Sequence, residues 1–472
     1  MGIIRVTLKA NEKYVYLAHL TDSAALIAFG KFYFSDQNEL IDDSLLRLFE
    51  ANRTTSIGEG SEYYGEQVEV RLNELGTNTT LTSTARKKNY CWVEGLKANT
   101  RYKYEVFVDG VPWIDRNPVH YSPERVRTEL TKQYDNSFRT FPHPDEAASC
   151  TFAVLGDYGS GKETQIAIAE ALEKAVEEHG VQFVISTGDN IYKGAPSGTG
   201  HADGSRGNDS GEDDDDWFFT FFQPYRFVIN RVPVFPTIGN HDSSETPNEG
   251  KDDRDGLYDN MFVVERFNLP VGRGPGLFYS FRFGSEIEFI CLDSSEEEGV
   301  IKQEGGRTRK RRVYEDYRHK QFIEDALSST ARRRPQWRIP FLHHSAFSDG
   351  DRHSDDSGVQ EQYSSKFRDC GVRVCLSGHS HNFQWLTNES VNYIVSGGAG
   401  KPEEGMTGTT KAVLKAWGGK DLGHFLIVRI DIANHTMEII PYTENGNDGT
   451  LVKLPVFTDI TGRTRLSSEI RI

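Results

Sequence analysis

Seven side chains with metal-binding chemistry stand at the ends of five apolar runs: Asp157, Asp189, Tyr192, Asn240, His343, His379 and His381. They lie in the segments LGDYG, TGDNIY, IGNHD, FLHHS and SGHSH, led into by TFAVL, VQFVIS, VPVFPTI, WRIPF and VRVCLS. Runs this rich in Val, Ile and Phe, bounded by Gly or Ser, read as buried strands. Side chains at the carboxyl ends of strands in an open α/β sheet converge on one crevice. Carboxylate, imidazole, amide and phenolate groups meeting there suit iron, zinc or manganese. The pattern is that of a metal-dependent hydrolase.

Two cations held about 3.5–4 Å apart can clamp an in-line displacement at phosphorus, one polarising the phosphoryl oxygen while a hydroxide made acidic by both attacks. Such a site needs a carboxylate shared between the ions. Asp189 is the expected bridge, because GD followed by Asn sets one carboxylate at a tight turn after a strand. Asp157, Tyr192 and His381 are then expected around one ion, and Asn240, His343 and His379 around the other. His379 and His381 are two residues apart, so they share a face if the strand continues. A turn after Gly378 would instead send them to different ions.

The elements that must position these groups begin near Cys150. KETQIAIAEALEKAVEEHG has helical spacing and a Gly180 stop, VQFVIS returns as a strand, and YEDYRHKQFIEDALSS is a second helix before WRIPF. This alternation predicts an α/β layered domain. DLGHFLIVRIDI and HTMEIIPY are expected as later strands that complete a second sheet. Before about residue 109 the chain instead runs through short alternating segments: IIRVTLKA, KYVYLAHL, ALIAFGKFYF, EQVEVRL, NTTLTST, NYCWVEGL and RYKYEVFV. Those predict a β-sandwich. The expected division is therefore a first domain over 1–145 and a second over 146–472, which includes the strands of 400–472.

Length and composition set the outer bounds. A chain of 472 residues, 37% hydrophobic and 26% charged, can form two cores. Its net charge of −16 disfavours a nucleic-acid partner. No apolar run reaches the roughly 20 residues that span a bilayer, so no membrane partner is expected. The start lacks a signal-peptide layout, which makes the cytoplasm the default compartment, or secretion if a leader has been trimmed. Val6 stands where a myristoylation motif wants Ser or Thr. Five cysteines without a CxxC pair suggest neither a disulfide framework nor a zinc–thiolate site. The acidic insert Ser197–Trp217 reads as a solvated loop, and Gly305–Arg312 with Arg332–Arg334 as a basic surface patch. GDYGSGK nearly spells a phosphate loop, but Glu163 replaces the hydroxyl that would hold magnesium. Asp293, ending another apolar run, is expected to be structural.

In order and wording the five metal segments resemble the calcineurin-like metallophosphoesterases, and most closely the purple acid phosphatases within them. The shared blocks are Asp157, GDNIY (188–192), GNHD (239–242), His343 and GHSH (378–381). Many relatives open with DxH, whereas Asp157 is followed by Tyr158 and Gly159, leaving Tyr192 to take that ligand's place. The resemblance implies a sandwich of two mixed sheets flanked by helices, preceded by a fibronectin type III-like domain that GLKANTRYKYEVFVDG also resembles. It implies Fe(III) in the first site, with Fe(II), Zn or Mn in the second, and a small-molecule phosphate ester as substrate. His241 resembles a family histidine that contacts phosphate, and His353 lies where relatives carry a catalytic histidine. A leaving alkoxide needs an acid of near-neutral pKa, and His353 is expected to serve, with His344 as the alternative. Ser345 replaces a common proline, and Asn382–Trp385 depart from the plant-type continuation, which leaves substrate preference open. Besides a monoesterase, a phosphodiesterase using Mn or Zn, or a non-catalytic binding protein acting through the β-sandwich, fits the same residues. The residues do not address oligomeric state.

Overall fold

The computed structural model describes residues 8–35, 64–121, 126–192, 217–242, 277–295, 300–304, 307–311, 317–328, 335–407, 413–417 and 423–444, with shorter pieces at 257, 261, 266–267, 451–453, 457–458, 464–465 and 470–472. The acidic insert ahead of Trp217, and Arg332–Arg334, lie outside the described residues. Within the basic cluster Arg307–Arg311 is a strand paired antiparallel with Val300–Glu304. The chain divides into two compact units, one of residues 1–143, 194–207 and 212–234, the other of 144–193, 208–211 and 235–472.

The first unit holds two antiparallel sheets. One joins Leu8–Leu20, Ala24–Ser35 and Tyr90–Glu94. The other runs Ser137–Arg139, Arg101–Val108, Gln67–Glu74, Thr80–Arg86. Strand periodicity of two sends alternate side chains inward: Val68, Val70 and Leu72 are buried in one strand, Tyr102, Tyr104 and Val106 in its neighbour. LKA, the described end of IIRVTLKA, and KYVYLAHL, separate in the sequence reading, join into the single strand Leu8–Leu20. Of the two polar residues between them, Asn11 pairs in register with Tyr33, and Glu12 is buried, accepting the Val119 amide at 2.8 Å with Arg226 at 3.7 Å and Arg116 at 3.5 Å. A buried carboxylate flanked by an amide and two guanidinium groups interrupts the apolar pattern without ending the strand. FFTFF, unassigned from sequence, forms a π-wound turn, Phe218–Phe222, that continues as the helix Gln223–Ile229. Phe218 packs edge-on against Phe32 and Phe34, and Phe222 lies 4.2 Å from Tyr14.

The second unit is built on two mixed seven-stranded sheets. In the first, Ser149–Leu155 pairs parallel with Val184–Ser186 and antiparallel with Phe425–Asp431, which continues to Thr436–Glu444. The late strands therefore extend the sheet that opens the domain, rather than a second one. Phe425–Val428 are buried, so the strand needs neighbours on both edges and cover on both faces. In the second sheet Ile287–Cys291, Trp337–Phe341, Val374–Ser377 and Val391–Ser396 are parallel neighbours. VPVFPTI contributes only Val234–Phe235, since Pro233 and Pro236 have no amide to donate.

The helix Glu163–His179 buries Ala167, Ile168, Ala171, Leu172 and Ala175 and stops at Gly180, where φ is 65°. Tyr317–Ala326 is the second amphipathic helix. All five cysteines are buried thiols, and among the described residues no helix is long and apolar enough to cross a membrane. A Cβ at Gly180 meets nothing within 4 Å, so Gly180→Ala should cost about 1 kcal/mol from the left-handed conformation alone. Chemical denaturation followed by circular dichroism measures this, with metal content unchanged.

Candidate metal centre

Each strand of the second unit that leads into a motif ends where its next residues must turn back sharply, and three candidate ligands take that turn themselves. Asp157, Asp189 and His379 have φ of 55°, 50° and 69°. Left-handed backbone in a residue other than glycine is uncommon and costs about 1–3 kcal/mol per residue. The adjoining glycines have a steric reason. A Cβ on Gly239 would collide with the Asp189 carboxylate, and one on Gly378 with that of Asp157.

These turns bring all seven residues together in two groups. Tyr192 Oη donates to Asp157 Oδ1 at 3.1 Å and lies 3.0 Å from His381 Nε2, which is 3.4 Å from the same Asp157 oxygen. In the other group His343 Nε2 lies 2.9 Å from Asn240 Oδ1 and 3.2 Å from His379 Nδ1. Asp189 stands between them: its Oδ1 is 3.3 Å from His343 Nε2, and its carboxylate also bears on the Tyr192 hydroxyl. His379 and His381 therefore face different groups, because the backbone turns at His379 instead of continuing as a strand.

The surroundings orient the ligands. His343 Nδ1 lies 2.8 Å from the Thr187 carbonyl, which directs Nε2 toward Asn240 and Asp189. Asp242, the last residue of GNHD, is buried and binds the GDN turn. It accepts from the amides of Asn190 (2.9 Å), Ile191 (3.2 Å) and Gly239 (2.8 Å), and from Asn190 Nδ2 at 2.7 Å. Sequence reasoning assigned Asp242 no role, although its place beside GNH was a usable signal. Among the candidate catalytic residues, His241 packs at a tilt of 53° against Tyr192 with ring centroids 4.6 Å apart and gives its amide to Asp189 Oδ1 at 3.0 Å. His344 packs 4.3 Å from the His379 ring, with Nδ1 3.1 Å from Ser294 Oγ. His353 packs 4.2 Å from His379 and 5.2 Å from His381, and its Nδ1 lies 2.9 Å from Glu404 Oε2. Asp293 accepts the amides of Leu277 and Ser295, a structural duty. In the GDYGSGK loop Gln165 takes the Gly161 amide at 2.7 Å and Lys162 pairs with Glu403 at 2.9 Å.

Electrostatics shows what the cluster is suited to hold. Burial pushes Asp157 up to about 8; His343 pulls it down and the charge of Asp189 pushes it further up. Burial also acts on Asp189, but His343, His241 and the His241 amide outweigh it and hold that carboxyl below its usual range. Burial and the Asp189 charge push Asp242 up to about 8, against the amides it accepts. Burial, then Asp157 and Asp189, raise the Tyr192 phenol far above its ordinary value. Burial holds His381 down to about 4. Carboxylates this crowded and buried resist carrying their charges, and a multivalent cation removes that penalty. Oxygen and nitrogen donors of Asp157, Asp189 and His343, and the nitrogens of His343, His344 and His379, lie within 4.8 Å of one another. The donor set fits a metal pair.

Residues 150–383 match the family described as calcineurin-like phosphoesterase. The fold is similar to that of the purple acid phosphatase PPD1 isolated from yellow lupin (Lupinus luteus) seeds, with 14% identity, 94% of this chain and 74% of that chain covered, and a TM-score of 0.58. It is also similar to that of PhoD, with 12% identity, 96% and 92% covered, and a TM-score of 0.61. Identities this low speak for the fold alone. No curated protein matches the chain.

Asp157 and Asp242 keep protons in the metal-free fold up to about 8 that the unfolded chain releases near 4. Stability should therefore fall as pH rises across that span. His381, held low, works the other way up to about 6.5. The melting temperature of chelated protein should accordingly fall between about pH 6.5 and 8, and that of metal-saturated protein should not. Asp242→Asn, which puts an NH2 where one carboxylate oxygen accepts two donors, should weaken metal affinity about 10–100-fold in a competitive chelator titration.

Proposed function

Starting from a chain that carries a calcineurin-like phosphoesterase domain, and is a metal-dependent phosphoric ester hydrolase, we propose that it is a dinuclear phosphatase of the purple acid type acting on small-molecule phosphate monoesters. The observation that carries this reading is the meeting of two ligand groups about the Asp189 carboxylate. Asp157, Tyr192 and His381 would hold one cation and Asn240, His343 and His379 the other, with Asp189 shared. When bound, the pair supplies a polarised phosphoryl oxygen and an acidified water.

The chain's own residues supply the rest. Thr187 keeps His343 aimed at the cluster by its carbonyl. The Tyr192 phenol, which burial keeps protonated at neutral pH, would lose its proton only to a strongly polarising cation. That requirement favours Fe(III) in the first position, with Fe(II), Zn or Mn in the second. His241, packed against the Tyr192 ring, would touch the phosphate. His353, on the rim of the histidine cluster, donates the proton the leaving alkoxide needs. Burial lowers its pKa, but Glu404, with Asp157 and Asp189 behind it, brings the net shift upward. His344, tied to Ser294, has the lesser part. For the first unit we propose a fibronectin type III-like sandwich, with residues 1–145 as one domain and 146–472 as the other.

Metal analysis with a visible spectrum tests this reading. Iron-loaded protein should absorb visible light through phenolate-to-iron charge transfer, and Tyr192→Phe should lose that band. A colourless, fully metallated and active wild type overturns the ferric assignment. The kcat/KM ratio for a phenyl monoester against its diester should favour the monoester by at least about tenfold, a difference of about 1.4 kcal/mol. The opposite preference makes the protein a diesterase.

A further inference from the structure

His353 stands on a rim segment whose neighbours Asp351, Arg352, Ser354 and Asp355 are all exposed. Ring contacts with His379 and His381 alone do not choose which His353 nitrogen turns outward, but its polar atoms are bound one after another. The His353 carbonyl accepts from Ser348 Oγ at 2.7 Å and from Ser380 Oγ at 2.8 Å. Its amide donates to Glu404 Oε1 at 2.6 Å, as the Arg352 amide does at 2.7 Å. Its ring Nδ1 lies 2.9 Å from Glu404 Oε2, and that same oxygen accepts the His381 amide at 2.8 Å. One buried carboxylate therefore grips His353 twice and fastens it to the loop that carries two candidate ligands.

The clamp is built into the backbone on both sides. The Glu404 amide returns to the His381 carbonyl at 3.4 Å, Asp351 N donates to Gly405 O at 3.2 Å, and Thr407 N donates to Asp349 O at 2.9 Å. Gly350 approaches so closely that a Cβ there would strike Glu404 Oε1. Glu404 itself is 1% exposed, and burial, which would favour its neutral acid, is outweighed by the His353 ring and the His353 and Arg352 amides. An ionised carboxylate kept in the interior is expensive unless each lone pair is used. Two of the four donors here belong to His353, and the other two are the amides of Arg352 and His381.

We propose that Glu404 is the positioning residue of this site: it holds Nδ1–H of the His353 imidazolium, so that the Nε2 proton is the one given to the substrate's leaving oxygen and the ring is left as the neutral Nδ1–H tautomer. The inference rests on the proposed general-acid role of His353. It makes the KPEEGM segment, outside the five metal motifs, part of the machinery. Glu404 touches no reacting atom; it acts through the tautomer and direction of the ring it holds.

The test uses the metal-loaded full chain and two esters, phenyl phosphate, whose leaving group needs a proton, and dinitrophenyl phosphate, whose leaving group does not. Glu404→Gln should lower kcat on phenyl phosphate about 10–100-fold while changing kcat on dinitrophenyl phosphate less than about threefold. Metal content should stay at the wild-type value. In a His353→Ala background the same change should have no further effect on phenyl phosphate. In the metal-free protein, nitrogen NMR should show His353 as the Nδ1–H tautomer, and Glu404→Gln should abolish that preference. Equal losses on both esters, additive losses in the double variant, or loss of metal from Glu404→Gln would overturn the inference and make Glu404 a structural support for His381. If Glu404→Gln does not fold, Glu404→Asp, one methylene shorter, should show the same ester dependence, and its absence counts equally against the proposal. A wild type that hydrolyses neither ester refutes the phosphatase reading, and this inference with it. A wild type that hydrolyses both, with variants lacking the ester dependence, refutes this inference alone.

Discussion

Everything in the second unit is arranged around a carboxylate that has to be close to several other charges at once. Asp189 is nearly inaccessible to solvent, borders both ligand groups, and lies near enough to Asp157 and Asp242 to raise both of their pKa values. Two unit charges 4 Å apart repel by about 4 kcal/mol at an effective dielectric of 20. No packing arrangement relieves three such groups in the interior unless protons or cations are taken up. The fold tolerates them because amides of the turns point inward at them.

That electrostatic demand explains the local geometry. A ligand at the carboxyl end of a strand points along the sheet unless the backbone turns at once. The left-handed conformations of Asp157, Asp189 and His379 make that turn without an intervening residue. Asp242 then locks the GDN turn through four donors, and Thr187 sets the ring of His343. Each support comes from a different strand, so the cluster reports on the whole sheet arrangement and not on any one loop.

How much of this was legible beforehand depends on the range of the interaction. The seven candidate ligands stand out because they follow five apolar runs, each closed by a local signature of glycine and chemistry. The helix 163–179 could be read because its apolar spacing and Gly180 are local too. Glu404 could not: it sits in KPEEGM with nothing to distinguish it from Glu403, which faces solvent and pairs with Lys162. The difference between the two is made by the burial of one side chain against residues 352, 353 and 381. The strand Leu8–Leu20 reads as two in the sequence because Asn11 is a turn former and Glu12 is polar, whereas the ladder to Tyr33 and the partners of Glu12 carry the strand through both. Phe425–Asp431 was given to the wrong sheet because an apolar run says that a strand is buried, not beside which neighbour.

The neighbour that Phe425–Asp431 does choose has a consequence for how the protein comes to life on the ribosome. The strand that leads to Asp157 pairs on one edge with Val184–Ser186 and on the other with Phe425–Asp431, which is synthesised long after it. Until that later strand emerges, the outer edge of Ser149–Leu155 lacks its hydrogen-bonding partner, and an unpaired edge of this kind is open to wrong pairings. The sheet that opens the second unit is thus completed only after the strands of the other sheet have been made.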